Sequence, residues 1–477
     1  MIFLVIVGLY FFLLLLVGWL AHRKTQKTPQ DYFLANRTFG SFILFFTLVA
    51  TNLSAFTFLG FSGKAYQSGF GQYGIMAFGT GFMAIMFYLI GRKTWKLGKE
   101  KDYITPPELI GDRFQSPSLR FLFMVVMILF TIPYLAVQAI GAGMLLAHAT
   151  QSITWELGAV LTMVVLTIYV FIGGMRGSGW TDVVQGIIMI SALICAVVFI
   201  AIHLGGFEQA NLLAYRANPG LFNRPGLDGY FLPQIWFSYL LLWVLADPMF
   251  PQIFSRFYTA SNETSLKRSM ILYPLLVSVL FLIPVLIGVW AHGVGLEVPV
   301  GQEDMVLPMM VERYTPSIVY AFVMVGALAA LMSTADSQLL SLSTMLSHDL
   351  MSLRKHRVSS VLIGKLLMVV LSGVAILFIL AGYDPEVGIM GTLVKTTFSG
   401  LAVLCPTTLA VLYWKNVTKY GCIGSILVGE AMVFLFEYTD LPTFGFLSAL
   451  WAVGIAILVL IIGSILTRPQ SFPSPSS

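Results

Sequence analysis

Apolar runs of about 20 residues follow one another along almost the whole chain, and such runs leave very few ways to fold. Backbone polar groups in lipid must be satisfied within the protein, so only helices and closed barrels cross a bilayer. Barrel strands alternate apolar and polar residues over about ten positions. These runs are continuous, so they read as helices. Charged residues make up only 10% of the 477, against about 25% in soluble domains, too few for a water-facing surface of this size. The chain is therefore expected to be an all-α polytopic membrane protein whose surroundings are the lipid bilayer. The net charge of +5 does not point to nucleic acid.

About thirteen spans are expected, at 1–21, 41–67, 72–91, 119–147, 154–175, 180–204, 231–252, 270–292, 315–346, 358–381, 388–413, 419–437 and 443–466. Cytoplasmic loops collect Lys and Arg. With the N-terminus outside, the inner loops hold Arg23, Lys24, Lys27, Arg37, the seven cations from Arg92 to Arg120, Arg176, Arg256, Lys267, Arg268, Arg354, Lys355, Arg357, Lys415, Lys419 and Arg468. The outer loops hold only Lys64, Arg216, Arg224 and Arg313. That asymmetry predicts an N-terminus outside and a C-terminus inside. The sequon Asn262-Glu263-Thr264 then falls inside, which together with the short loops suggests a bacterial inner (plasma) membrane. A disordered tail is expected at 467–477. No loop is long enough for another folded domain, and no obligate protein partner is evident.

Soluble-enzyme signatures are missing: there is no GxxxxGK[ST] phosphate loop, no HExxH and no GxSxG. Cys195, Cys405 and Cys422 lie apart in apolar runs, which argues against a disulfide framework or zinc site. No enzyme is expected. Without a nucleotide-binding segment, a secondary transporter, a channel or a membrane enzyme remains, the enzyme last because no paired catalytic carboxylates, His cluster or nucleophile motif appears.

"ALAALMSTADSQLLSLSTML", Ala327 to Leu346, begins as a membrane helix and then fills with hydroxyls. At 100° per residue, Ala330, Ser333, Thr334, Ser337, Ser341 and Thr344 share one face, with Asp336 on its flank. Serines and threonines in a span can simply bond back to their own helix. Yet this many, beside a carboxylate that is costly in lipid, mark an ion path. Hydroxyl and carbonyl oxygens with one carboxylate suit a hard, weakly held cation such as sodium rather than a transition metal. Two further runs read as interrupted helices: "VATNLSAFTFLGFSGKAY" (Val49–Tyr66) and "LLWVLADPMFPQIFSRF" (Leu241–Phe257), the latter with Asp247, Pro248 and Pro251. Interruptions in both halves of a chain point to a transporter's binding site. Pro251 reads equally as a kink near the inner surface, and Asp247 as a surface or capping residue.

Five segments carry a resemblance. "DYFLANRTFG" (Asp31–Gly40), "ATNLSAFTFLG" (Ala50–Gly60), "GGMRGSGWTDVVQG" (Gly173–Gly186), "FPQIFSRFYTA" (Phe250–Ala260) and "ALMSTADSQLL" (Ala330–Leu340) resemble, in order and spacing, the sodium:solute symporter family of bacterial proline, pantothenate, sialic acid and galactose symporters. The resemblance implies a LeuT-type fold with two inverted five-helix repeats, at 41–204 and 231–413, an extra helix within 1–40 and two more at 419–466. It implies Na+ as the coupling ion, held by the carbonyls of Ala50, Leu53 and Ala330 and the hydroxyls of Ser333 and Thr334. Some relatives hold a second cation, here matching Asp182, Ser333, Asp336 and Ser337, although Asp182 reads equally as a helix cap. The solute, a small polar molecule, is expected among Asn52, Ser54, Thr57, Gln72, Tyr134, Gln138, Trp236, Tyr239 and Trp243. No Arg falls in the middle of a lining helix, so relatives that grip a carboxylate through a buried Arg are poor guides to the solute. The rival expectations are proton coupling through Asp336 or Asp182, and a non-transporting sensor.

Overall fold

A computed structural model of the chain describes residues 2–26, 28–352, 360–380, 388–439 and 441–468. Most of the tail expected at 467–477, and the inner-loop cations Lys27, Arg354, Lys355 and Arg357, lie outside the described residues. Among the described residues the secondary structure is helical throughout, apart from one isolated bridge between Phe39 and Ala260. Nine helices among the described residues are long and apolar enough to cross a bilayer, or eleven if each of two bent pairs is one span. Length and apolarity alone do not confirm the count of thirteen. The spans read at 154–175 and 180–204 lie in the run Trp155–His203, which a non-helical Gly174 (φ 55°, ψ −153°) divides by a kink into two helices. The span read at 388–413 is a short helix (Gly388–Leu393), a π-helical turn (Val394–Phe398) and a 15-residue helix (Ser399–Tyr413), none of span length alone.

Local chemistry sets the helix ends. Ser116, Thr154, Asn262 and Thr418 each accept the amide three residues on, and Pro117 follows its cap where a missing N–H costs nothing. Gly174 takes φ 55°, and a Cβ there would stand 2.8 Å from the Tyr32 carbonyl oxygen, so only glycine fits. Tyr32, from the inner segment before the first broken helix, donates its hydroxyl to Phe171 O at 3.2 Å, fastening that segment beside the break.

The hydroxyl-bearing helix, Ser317–Ser352, is the axis of the molecule. In its most apolar window 78% of residues are buried, against 28% for the first helix, Ile2–Lys24, which turns Phe12 and Leu16 outward. It packs closely on Trp155–His203. At Gly326 an ideal Cβ would lie 2.1 Å from Ala192 Cβ, so the two backbones touch where a side chain cannot enter. Small residues at such crossings let helices in lipid gain packing that hydrophobicity cannot supply.

Candidate functional site

Both interrupted runs are broken helices. Ser41–Asn52 and Phe56–Ser68 meet at 59°, and Pro233–Met249 and Pro251–Thr259 at 55°. At the first break neither Pro nor Gly is responsible. Leu53 is extended (φ −76°, ψ 109°), and side chains accept the freed amides. Gln138 Oε1 accepts Ala55 N at 2.9 Å, and Ser54 Oγ accepts Phe56 N at 3.2 Å. Tyr134 donates its hydroxyl to Ser54 Oγ at 3.2 Å, so Ser54, Tyr134 and Gln138 hold the break as one unit. At the second break Pro248 and Pro251 remove two donors outright.

The hydroxyl helix lies against the first break. Ser333 Oγ donates to Ala50 O at 2.8 Å and to Ala330 O at 3.0 Å, and Thr334 Oγ1 donates to Leu53 O at 3.1 Å. The five residues expected around the first cation are therefore in mutual contact, and all are buried. The stripe itself divides. Further along, Ser343 and Thr344 only bond back to Leu340 O, the ordinary behaviour of hydroxyls in a span.

Three of the four residues expected around a second cation, Asp182, Asp336 and Ser337, also meet, with an unforeseen partner, whereas Ser333 turns to Ala50 O and Ala330 O instead. Arg256, counted from the sequence among inner-loop cations, is wholly buried. Its Nη2 donates to Asp182 Oδ2 at 3.0 Å and Ser178 Oγ at 2.9 Å, and also to Ser337 Oγ. Ser178 and Ser337 in turn donate to Asp336 Oδ1 at 3.1 and 3.0 Å, and Tyr169 donates to Oδ2 at 2.9 Å. Thr47 donates to Asp182. Two hydroxyls thus relay the guanidinium to the second carboxylate. The sequence signal was ambiguous because Arg256 ends an apolar run, where a cation usually reaches water. Pro251–Thr259 is instead buried at every residue.

A second set of side chains closes a small cavity between the two breaks. Asn52, Thr57, Tyr134 and Trp243, all expected, line it with Phe56, Met76, Thr80, Asp247, Phe250, Phe281 and Phe398. The cavity is about 20 Å³, room for roughly one water, so its rings must part to admit a solute. Asp247 is buried beside it, not on the surface, and Asn52 donates to it at 3.4 Å and also to Tyr273. The remaining expected residues do not reach this cavity. Ser54 and Gln138 support the break. Gln72 is buried elsewhere. Trp236 packs on Gly74 beneath the Arg224 guanidinium, and Tyr239 stacks on Trp243 but lines a separate cavity with Lys64 and Tyr230. The phenylalanines carried no sequence signal, since a Phe in a span is ordinarily packing.

An all-helical membrane fold with two broken spans facing a buried hydroxyl helix defines a secondary transporter. Comparison with known proteins narrows this class. The sequence model of the sodium:solute symporter family matches residues 32–429, and the chain belongs to that family. It is 29% identical to the osmoregulated proline transporter OpuE of Bacillus subtilis, over 91% of this chain and 88% of that protein. It is 25% identical to a sodium/pantothenate symporter of Haemophilus influenzae, over 96% of each. Among solved structures, an outward-open, substrate-bound Na+-coupled sialic acid symporter superposes with TM-score 0.81, covering 98% of each chain at 20% identity. MHP1, a nucleobase-cation-symport-1 transporter, superposes at 0.58 with 14% identity. The fold is of the LeuT type, and the chain is a sodium-coupled solute transporter, not an enzyme.

Proposed function

We propose that sodium entering with the solute is held by Ala50 O, Leu53 O, Ala330 O, Ser333 Oγ and Thr334 Oγ1. What carries this reading is the pair of hydroxyls reaching across to the carbonyls that the first break frees. Their protons now satisfy those carbonyls; rotated away, five oxygens present lone pairs to a hard cation. The ion would tie the axial helix to the broken helix, and separation of the two would release it. Coupling requires that sodium bind these states with different affinity, because equal affinity shifts nothing.

The solute, a small polar metabolite, would enter between the two breaks, against Asn52, Thr57, Tyr134 and Trp243. Around Asp182 and Asp336 the protein's own Arg256 supplies positive charge, so a second sodium would have to displace a tethered guanidinium. The inverted repeats would span 41–204 and 231–413, with one helix before and two after, in a bacterial inner membrane with the N-terminus outside. The test is thermal: sodium, and not an equal concentration of potassium, should raise the melting temperature of the detergent-purified protein. Equal effects of the two salts would refute the site.

A further inference from the structure

Resting on that reading of the solute cavity, we propose that the transported solute carries an ammonium group, which pairs with Asp247 inside the ring of Phe56, Tyr134, Trp243, Phe250 and Phe398. The first ground is Asp247 itself. It is 7% exposed, lines the cavity, and sits at the second break, where the chain leaves one helix for the next. Its neutral neighbour Asn52 donates over a long 3.4 Å, and no Lys, Arg or His among the described residues pairs with it. Among the described residues, every other wholly buried carboxylate near the axis has a basic partner or a full set of donors: Asp182 has Arg256, Asp31 has Arg176, Asp349 has Arg120, and Asp336 has three hydroxyls. A buried carboxylate lacking both is expensive, and in a membrane protein it marks a functional site.

The second ground is the wall. Phe398 lies 4.9 Å from Trp243, 5.2 Å from Phe250 and 5.8 Å from Tyr134, centroid to centroid, and Phe56 lies 5.4 Å from Trp243. Aromatic faces attract a weakly hydrated organic cation, whereas a hard metal ion seeks a shell of oxygens. The third ground is the shortage of anchors for an anion. No Lys or Arg among the described residues lines the cavity, and the Ala55 and Phe56 amides at the break are already taken by Gln138 and Ser54. A solute whose only charge is a carboxylate would meet Asp247 with nothing to offset the repulsion. A solute that is only an acid or only a sugar fits poorly; an amine or a quaternary ammonium compound, zwitterions included, fits well.

The experiment is a melting-temperature titration in sodium with tetramethylammonium, glycine betaine and L-proline on one side, and pantothenate, sialic acid and galactose on the other. At least one ammonium compound should stabilise the sodium-loaded protein. Asp247→Asn, which keeps the shape and removes the charge, should weaken that compound roughly a hundredfold or more. Phe398→Leu, which removes one ring face, should weaken it about two- to thirtyfold and serves if the Asn variant does not fold. Stabilisation by the acids or the sugar instead, silence from all three ammonium compounds, or an ammonium response that survives in Asp247→Asn would overturn the proposal. So would loss of the solute-free sodium response in that variant, since Asp247 would then be an ion ligand. A wild type that ignores sodium altogether refutes the symport site instead, so the two failures are separable.

Discussion

Ser333→Ala removes one of the five oxygens proposed to hold sodium, and its consequences can be worked through. An interaction between a polar group and a charged partner contributes about 1.5–3 kcal/mol, so sodium affinity should fall roughly 10- to 150-fold. Sodium at about 100 times its dissociation constant stabilises the wild type by about 2.7 kcal/mol. The same salt would stabilise the variant by about 1.4 kcal/mol at a tenfold loss and about 0.4 kcal/mol at a hundredfold loss. The substitution also removes the Ser333 bonds to Ala50 O and Ala330 O, which costs the sodium-free fold about 1 kcal/mol. The melting temperature in potassium therefore drops a little. The informative quantity is the sodium concentration at which the melting temperature begins to rise, which tracks the dissociation constant and which the structural cost does not move. Ser343→Ala is the control, because Ser343 only bonds back to Leu340 O at 2.9 Å; its onset should stay at the wild-type concentration. A wild-type onset in Ser333→Ala would refute the reasoning, whatever happened to its stability.

Two further substitutions probe the surroundings of the site. Arg256→Gln leaves Asp182 and Asp336 buried without their guanidinium and should destabilise by about 3–5 kcal/mol; adding Asp182→Asn should recover part of that loss in a thermal-melt double-mutant cycle, and strict additivity would deny the pairing. Gly326→Ala sets a methyl against Ala192 at a contact with no room for it and should cost about 1–3 kcal/mol of stability, read as a lower melting temperature in sodium and potassium alike; an unchanged melting temperature would mean that this helix crossing yields.

Legibility in the sequence followed the range of the interactions concerned. Ser333 and Thr334 stood out because helical periodicity places them on one face with Ser337, Ser341 and Thr344, and periodicity is local. Both breaks were visible because Asn52, Ser54, Pro248 and Pro251 interrupt apolar runs. Trp236, Gln72 and Tyr239 were reasonable polar or aromatic candidates on the right helices. They share a helix face with the cavity residues Trp243 and Met76 but stand one or two turns away along the axis, and the depth at which the cavity opens is set by packing, which the sequence does not encode locally. Phe56, Phe250 and Phe398 were invisible because a ring at a ligand and a ring in packing have the same sequence signature.

Arg256 and Asp247 mark the boundary most clearly. Each lies near a proline-rich break, and by position each could have faced water. The membrane character of the chain, its helical class, its transporter nature and the two residues that bridge to the first break follow from composition, period and motif, because lipid forces every span to satisfy its own backbone. Which buried charges find partners was decided only in three dimensions. Arg256 meets Asp182 across 74 residues of sequence, while Asp247 meets rings and the amide of Asn52. The energy of a buried charge depends on what stands within a few ångströms of it, and only the packed helices determine that.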